Sequence, residues 1–239
     1  MRAAAFKATI VVGALTLLTG CAANDDPKND NQVAGKVAFV KNCGSCHVLS
    51  RAGTKGVTGP NLDQAFQQSI KDGFGRDAIR GVVHRQILYP NMNGVMPAKL
   101  VTGQTASDVA TYVADAVSSP GKDAGALADA VKPAGAGAPT VAKNGVLPTE
   151  ADPNGQLAYT SNKATATPGP LEVTFKNTSG VPHNVALQEG TNGAVLGKTP
   201  VINKGENKLS TTVKAGTYTF FCTVPGHRAA GMVGTLTVK

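Results

Sequence analysis

Cysteine and histidine are scarce in this chain, four of each in 239 residues, and that scarcity closes off whole classes of function. The cysteines fall into three separate contexts, Cys21, the pair Cys43 and Cys46, and Cys222, so none is left over to build a disulfide framework. Basic runs interleaved with aromatic residues are missing, which removes nucleic acid as a target. No apolar run reaches the roughly 20 residues that a membrane-crossing helix needs. The formal net charge of +8 is mild and spread over both halves, which suits solubility and docking to acidic partners. No internal repeat joins the two halves.

The front of the chain has the three parts of an export signal: Arg2 and Lys7, an apolar core from Ala8 to Leu18, and small residues before Cys21. Residues 1–20 are therefore expected to be a leader, and the protein to work outside the cytoplasm. An ordinary secretory signal would leave an unpaired cysteine at the cut. Leu18-Thr19-Gly20-Cys21 resembles the lipobox of bacterial lipoproteins. The resemblance implies that Cys21 carries lipid and becomes the mature N-terminus, anchored by acyl chains at about 0.8 kcal/mol per buried CH2. Residues 21–31, polar and acid-rich, then read as a flexible lipidated stalk. The expected location is the periplasmic side or outer face of a bacterial membrane.

Composition divides the rest into two domains and a connection. In residues 32–119 the apolar positions Ile79, Val82, Val83 and Ile87 follow a helical period over residues 76–88, ended by Pro90. A second helix is predicted from Thr105, with Asp108 completing a capping box, through to Pro120. Residues 120–149, rich in Ala, Gly and Pro, have room for a short helix at Ala124 to Val131 but lack the apolar periodicity to build a core, and read as a flexible linker spanning roughly 30 Å. In residues 150–239 the period changes to two, in Leu171–Phe175, Val201–Asn203, Thr217–Phe220 and Thr235–Val238. An all-α domain followed by an all-β sandwich or barrel is the expected architecture.

Cys43-Gly44-Ser45-Cys46-His47 places two thiols one helical turn apart with a histidine beside them, which suits thioether attachment of a haem and ligation of its iron. A thioredoxin-like redox pair is the competing reading, but it belongs in a βαβ setting that this helical stretch does not offer. Either Met92 or Met96 can reach the iron from the loop after the 76–88 helix. His84 sits beside Arg85 and one turn from Arg80, and reads as a solvated surface residue. Around these residues the chain resembles a class I cytochrome c over about 32–119, through the motif itself, Thr58-Gly59-Pro60-Asn61-Leu62 and Gly94-Val95-Met96-Pro97-Ala98. The resemblance implies covalent haem c on Cys43 and Cys46, with His47 and Met96 as axial ligands. It also implies a Pro60 carbonyl accepting a hydrogen bond from His47, and Tyr112 in the aromatic position of the last helix.

His183, Cys222, His227 and Met232 combine a soft thiolate, two imidazoles and a thioether, the ligand set of a blue-copper centre. His183 is placed on a strand from Val181 to Val185. Zinc shares Cys and His ligands, but a methionine fourth ligand favours soft copper. A single cysteine here excludes a binuclear centre bridged by two thiolates. Phe220–His227 and Gly231–Gly234 resemble the cupredoxins, the plastocyanin and azurin family, over about 150–239. That resemblance implies a Greek-key sandwich, one type 1 copper, and Asn184 bonding across to Thr223 as a tie behind the ligands.

The combined expectation is a membrane-tethered electron carrier, not an enzyme. It would be a monomer passing electrons between a membrane quinol-oxidising complex or dehydrogenase and a terminal oxidase or reductase. A copper nitrite reductase needs a further three-histidine site, and after His47, His183 and His227 only His84 is left. An electron-accepting subunit of a copper or haem reductase is the second reading. A copper-handling or redox-sensing lipoprotein is the third, although the chain has no cluster of Met or His of the kind metal delivery uses.

Overall fold

The computed structural model describes residues 29–119 and 121–239. The leader, Cys21, most of the expected stalk and Pro120 lie outside the described residues. Helices fill the first part: α1 (Gln32–Asn42), α2 (Leu62–Ala65), α3 (Gln67–Lys71), α4 (Arg76–Leu88) and α5 (Gly103–Ser118). A two-residue hairpin, β1 (Val48–Leu49) with β2 (Thr54–Lys55), lies between α1 and α2.

Asn31 starts α1 by accepting the Ala34 N–H at 3.0 Å. α1 crosses α5 at Gly35, where a Cβ would lie 2.1 Å from the Asp108 carbonyl oxygen, so only glycine lets the two backbones meet. Phe39 and Tyr112 pack across the same crossing with ring centroids 6.3 Å apart. α4 lies on α5 and buries Ile79 and Ile87, as its period predicts, whereas Val82 stays 58% exposed. The capping box expected at Thr105 and Asp108 does not form. α5 begins two residues earlier, and the buried Asp108 carboxylate accepts the Asn31 N–H at 2.8 Å, serving the start of α1 instead.

The segment expected to be a flexible linker is an ordered strap with an anchor on each unit. On the helical side Asp123 is buried between Lys36, at 3.0 Å, and Arg51, at 2.7 Å, and accepts the Tyr112 hydroxyl at 2.9 Å. Burial alone would raise its carboxyl, but the bonds from Lys36, Tyr112 and Arg51 outweigh that and hold it below the usual value. A short helix, α6 (Ala126–Asp129), follows; Leu127 and Val131 lie on the helical core, and Lys36 Nζ donates to the Leu127 carbonyl at 2.5 Å. On the other side Ala136 bridges to Ser161, and β3 (Thr140–Val141) and β4 (Val146–Glu150) are already strands of the sandwich.

The remaining strands are β5 (Lys163–Ala166), β6 (Gly169–Asn177), β7 (Ala186–Glu189), β8 (Val195–Lys198), β9 (Gly205–Val213), β10 (Gly216–Phe221) and β11 (Val233–Val238), with α7 (His227–Ala230) between the last two. They form one sheet in the order β3-β5-β11-β10-β7-β8 and another in the order β4-β6-β9. Alternation on β6 sends Leu171, Val173 and Phe175 inward, to meet Leu187, Phe220 and Leu236 of the facing sheet. Tyr159 stands between Phe175 and Phe220 at 6.3 and 5.2 Å. Two predicted strands are reduced to a single bridge: residues 181–185 and 201–203 meet only through His183 and Ile202. Pro182 and Pro200 lack the N–H groups that would extend the ladder.

Replacing Asp123 by alanine leaves the buried Lys36 ammonium without its carboxylate, takes one of two carboxylates from Arg51, which keeps Asp115 at 3.6 Å, and releases the strap. The expected loss is about 3–5 kcal/mol of unfolding free energy in urea; a loss below about 1 kcal/mol, the size of an exposed pair, would show that water already screens this cluster.

Candidate metal centre

Three of the four predicted copper ligands hang on one closed loop. Cys222 follows β10, and its N–H donates to the Met232 carbonyl at 3.1 Å. Gly226, at φ +83°, turns the chain so that His227 opens α7, and the Met232 N–H returns to the His227 carbonyl at 2.9 Å. Met232 is fully buried at the head of β11. His183 comes from the connection between β6 and β7, held by reciprocal backbone bonds to Ile202 at 3.0 and 2.9 Å.

These elements bring His183 Nδ1 to 3.1 Å from His227 Nδ1, with Cys222 Sγ at 4.0 and 3.6 Å from the two nitrogens. His183 and Cys222 are buried and His227 is half-buried. One proton shared between the two facing nitrogens satisfies that pair and leaves the sulfur weakly bonded; a soft cation at the centre satisfies all three lone pairs, so the donor set fits copper. Burial, reinforced by His227, pushes His183 down to about 4, and burial lowers His227 as well. Both imidazoles are therefore neutral at pH 7, the form that ligates metal. Burial raises the Cys222 thiol against hydrogen bonds from the backbone at Asn184 and Val224, so metal binding must displace its proton.

Asn184 locks the two halves of the site. Its Oδ1 accepts the Thr223 N–H at 2.8 Å, and its Nδ2 donates to Thr223 Oγ1 at 2.9 Å and to the Thr199 carbonyl at 3.0 Å. The buried Tyr159 hydroxyl donates to the Asn184 carbonyl at 2.8 Å. Thr199 and Tyr159 were not legible as site residues: nothing in sequence spacing links them to Asn184.

In the helical unit Cys43 closes α1, and Cys43 to His47 form the turn after it rather than lying on the helix. The Cys46 and His47 N–H groups both donate to the Cys43 carbonyl, at 3.1 and 2.9 Å. Cys43 is buried and Cys46 exposed; burial, with Cys46 beside it, pushes the Cys43 thiol up to about 12. His47 Nδ1 lies 2.9 Å from the Pro60 carbonyl oxygen, and its ring covers Gly59, where a Cβ would come within 2.5 Å of it. Met96 is partly buried against the helical core, Met92 is 98% exposed, and His84 is half-buried on α4. Among the described residues no helix is long and apolar enough to cross a membrane.

The depressed His183 sets an acid sensitivity in the metal-free protein. Unfolding frees His183 to take up a proton near pH 6.5, which the folded state refuses until about pH 4. The stability present above pH 6.5 should therefore fall by on the order of 3 kcal/mol as pH drops through that window. Urea melts of the apoprotein at successive pH values measure this, and His183→Gln should flatten the profile.

Comparison with known proteins follows the same residues. The model of copper binding proteins, plastocyanin/azurin family, matches residues 147–239. Plastocyanin from Mercurialis perennis is 34% identical over 94 residues, 36% of this chain and 92% of that protein. Plastocyanin from Sambucus nigra is 36% identical over 94 residues, with the same 36% and 92% covered. Among solved structures, dithionite-reduced auracyanin from Roseiflexus castenholzii is 26% identical, covering 41% of this chain and 99% of that one at a TM-score of 0.37. Through residues 147–239 the chain belongs to the plastocyanin/azurin family of copper-binding proteins, which are electron carriers and not enzymes.

Proposed function

We propose that this chain is a two-centre electron carrier working outside the cytoplasm and tethered to a membrane through lipid on Cys21. His183, Cys222, His227 and Met232 would hold one type 1 copper. Cys43 and Cys46 would carry a covalent haem c, with His47 and Met96 as its axial ligands. The observation that carries the reading is the convergence of the two Nδ1 atoms and one Sγ in a buried pocket whose single partly exposed member is His227.

When bound, copper and haem iron each supply a one-electron couple; the rest is the work of the chain's residues. Asn184 keeps the Cys222 loop at a fixed distance from His183 whichever charge the site carries, which keeps reorganisation small. Pro60 orients the His47 ring through Nδ1 and leaves Nε2 free to ligate. Gly59 leaves room for that ring. The helical unit also exposes Val82, Tyr89, Val95 and Leu100, apolar surface of the kind a porphyrin covers. Met96 turns toward the helical core and Met92 away from it, which favours Met96 as the sixth ligand. A histidine and methionine pair fills both axial positions and leaves none for a substrate.

The partners implied are redox proteins, a membrane quinol-oxidising complex or dehydrogenase on one side and a terminal oxidase or reductase on the other. Absorption and electron paramagnetic resonance of the mature protein test the assignment. One blue copper and one low-spin haem per chain are expected. Cys222→Ser should remove the blue band and spare the haem, and Met96→Ala should open the iron to added imidazole while Met92→Ala does not. High-spin haem in the unaltered protein, or copper without the blue band, would refute the reading.

A further inference from the structure

The two units touch beside their redox residues. Gly226, next to His227, would place a Cβ 3.1 Å from Val57 Cγ2, and Gly231, next to Met232, would place one 3.8 Å from Lys55 Nζ. The loop 55–57 in turn lies directly on the Cys43–His47 turn: a Cβ on the buried Gly56 would sit 2.4 Å from the Ser45 carbonyl oxygen and 2.5 Å from the Cys46 carbonyl carbon. The edge of the helical unit that faces the copper-ligand loop is thus the edge that bears the two thiols. A third contact lies at the end of α1, two residues before Cys43, where a Cβ on Gly155 would come 2.8 Å from the Lys41 carbonyl oxygen.

We propose that the loop 55–57 is a built-in docking element for the rim 226–231, so that electron exchange at His227 runs through the Val57–Gly226 contact to a partner carried in the same chain. The inference rests on the two-centre reading above. His183 and Cys222 are buried, and His227 is the ligand whose edge reaches the surface, so the rim around it is where an electron enters or leaves. The contact there is thin, since Val57 keeps 67% of its surface exposed. Thin contacts suit redox encounters, which lie at the small end of protein interfaces. The strap makes a thin contact sufficient. Asp123 and Val131 fix it to the helical core and Ala136 fixes it to the sandwich, leaving four residues, 132–135, between the last anchors. Gln156 shortens even that span by donating to the Lys132 carbonyl at 3.1 Å. So short a connection holds the loop at a high effective concentration over its rim. With both groups bound, the step would move a single electron, the oxidation states of copper and iron changing by one in opposite directions, with no bond broken and no proton moved.

The full-length chain carrying both centres tests this. The iron is photoreduced with an external dye and the blue band is followed, in parallel with hydrogen exchange at residues 55–57 and 226–231. Wild type should equilibrate at a first-order rate independent of protein concentration. Val57→Asp, which sets a charge against the rim, and Gly155→Asn, which props the units apart at a contact outside the 55–57 loop, should each slow that rate about tenfold, the effect of 1.4 kcal/mol against the docked pose. Both should also raise exchange at the two segments while leaving the absorption spectra of the centres unchanged. A wild-type rate that rises with protein concentration, or rate and exchange unchanged in both variants, would overturn the proposal. Absence of either centre's spectrum in wild type would instead overturn the two-centre reading beneath it.

Discussion

Everything in the sandwich depends on keeping His183 opposite a loop that folds some forty residues later. Cys222, His227 and Met232 are tied to one another by backbone bonds, whereas His183 lies just before β7, the neighbour of β10, and its own backbone bonds go to Ile202 instead. The Asn184 amide closes that gap, using both its oxygen and its nitrogen on Thr223. Because those bonds need no metal, the donors are already gathered before copper arrives, and the cost of gathering them is met by folding. Two imidazole nitrogens at 3.1 Å with a thiol beside them is an arrangement that a core tolerates only with such a frame behind it.

A second constraint holds the molecule as one object. Asp123 lies in a stretch that looks like filler, yet it neutralises Lys36 of α1 and Arg51 beside the hairpin, and it takes the Tyr112 hydroxyl from α5. A buried carboxylate between two cations forces the strap to lie along the helical core, and the first strands of the sandwich begin soon after. The surface bearing Cys46 thereby comes to rest against the rim bearing His227. The order of the strap and the position of the copper loop are one structural fact.

Much of this was legible in the sequence, and the parts that were not share a physical cause. The copper ligands stood out because the chain has so few cysteines, histidines and methionines to assign, and because the Cys222 to Met232 loop is local. α4 was legible from its period, and β6, β10 and β11 from their alternation. β9 was not, since Gly205–Val213 carries polar side chains on most positions and is a strand because β6 lies beside it. The strand predicted around His183 failed because local alternation says nothing about the proline that breaks the ladder. The capping box failed because Asp108 found a partner at the start of α1. The strap was misread for the same reason: its anchors, Lys36 and Arg51, are far away in sequence, and composition cannot see a pairing made only in the folded state.

The central claim is that one chain carries two one-electron centres, with copper in the His183, Cys222, His227 and Met232 site. Coulometric titration of the mature protein, followed at the copper and haem absorption bands together, measures it most directly. Two electrons per chain are predicted, one bleaching the blue band and one sharpening the haem bands, with the first lost and the second kept in Cys222→Ser. A single electron per chain in the unaltered protein, or a blue band that survives Cys222→Ser, would contradict the account.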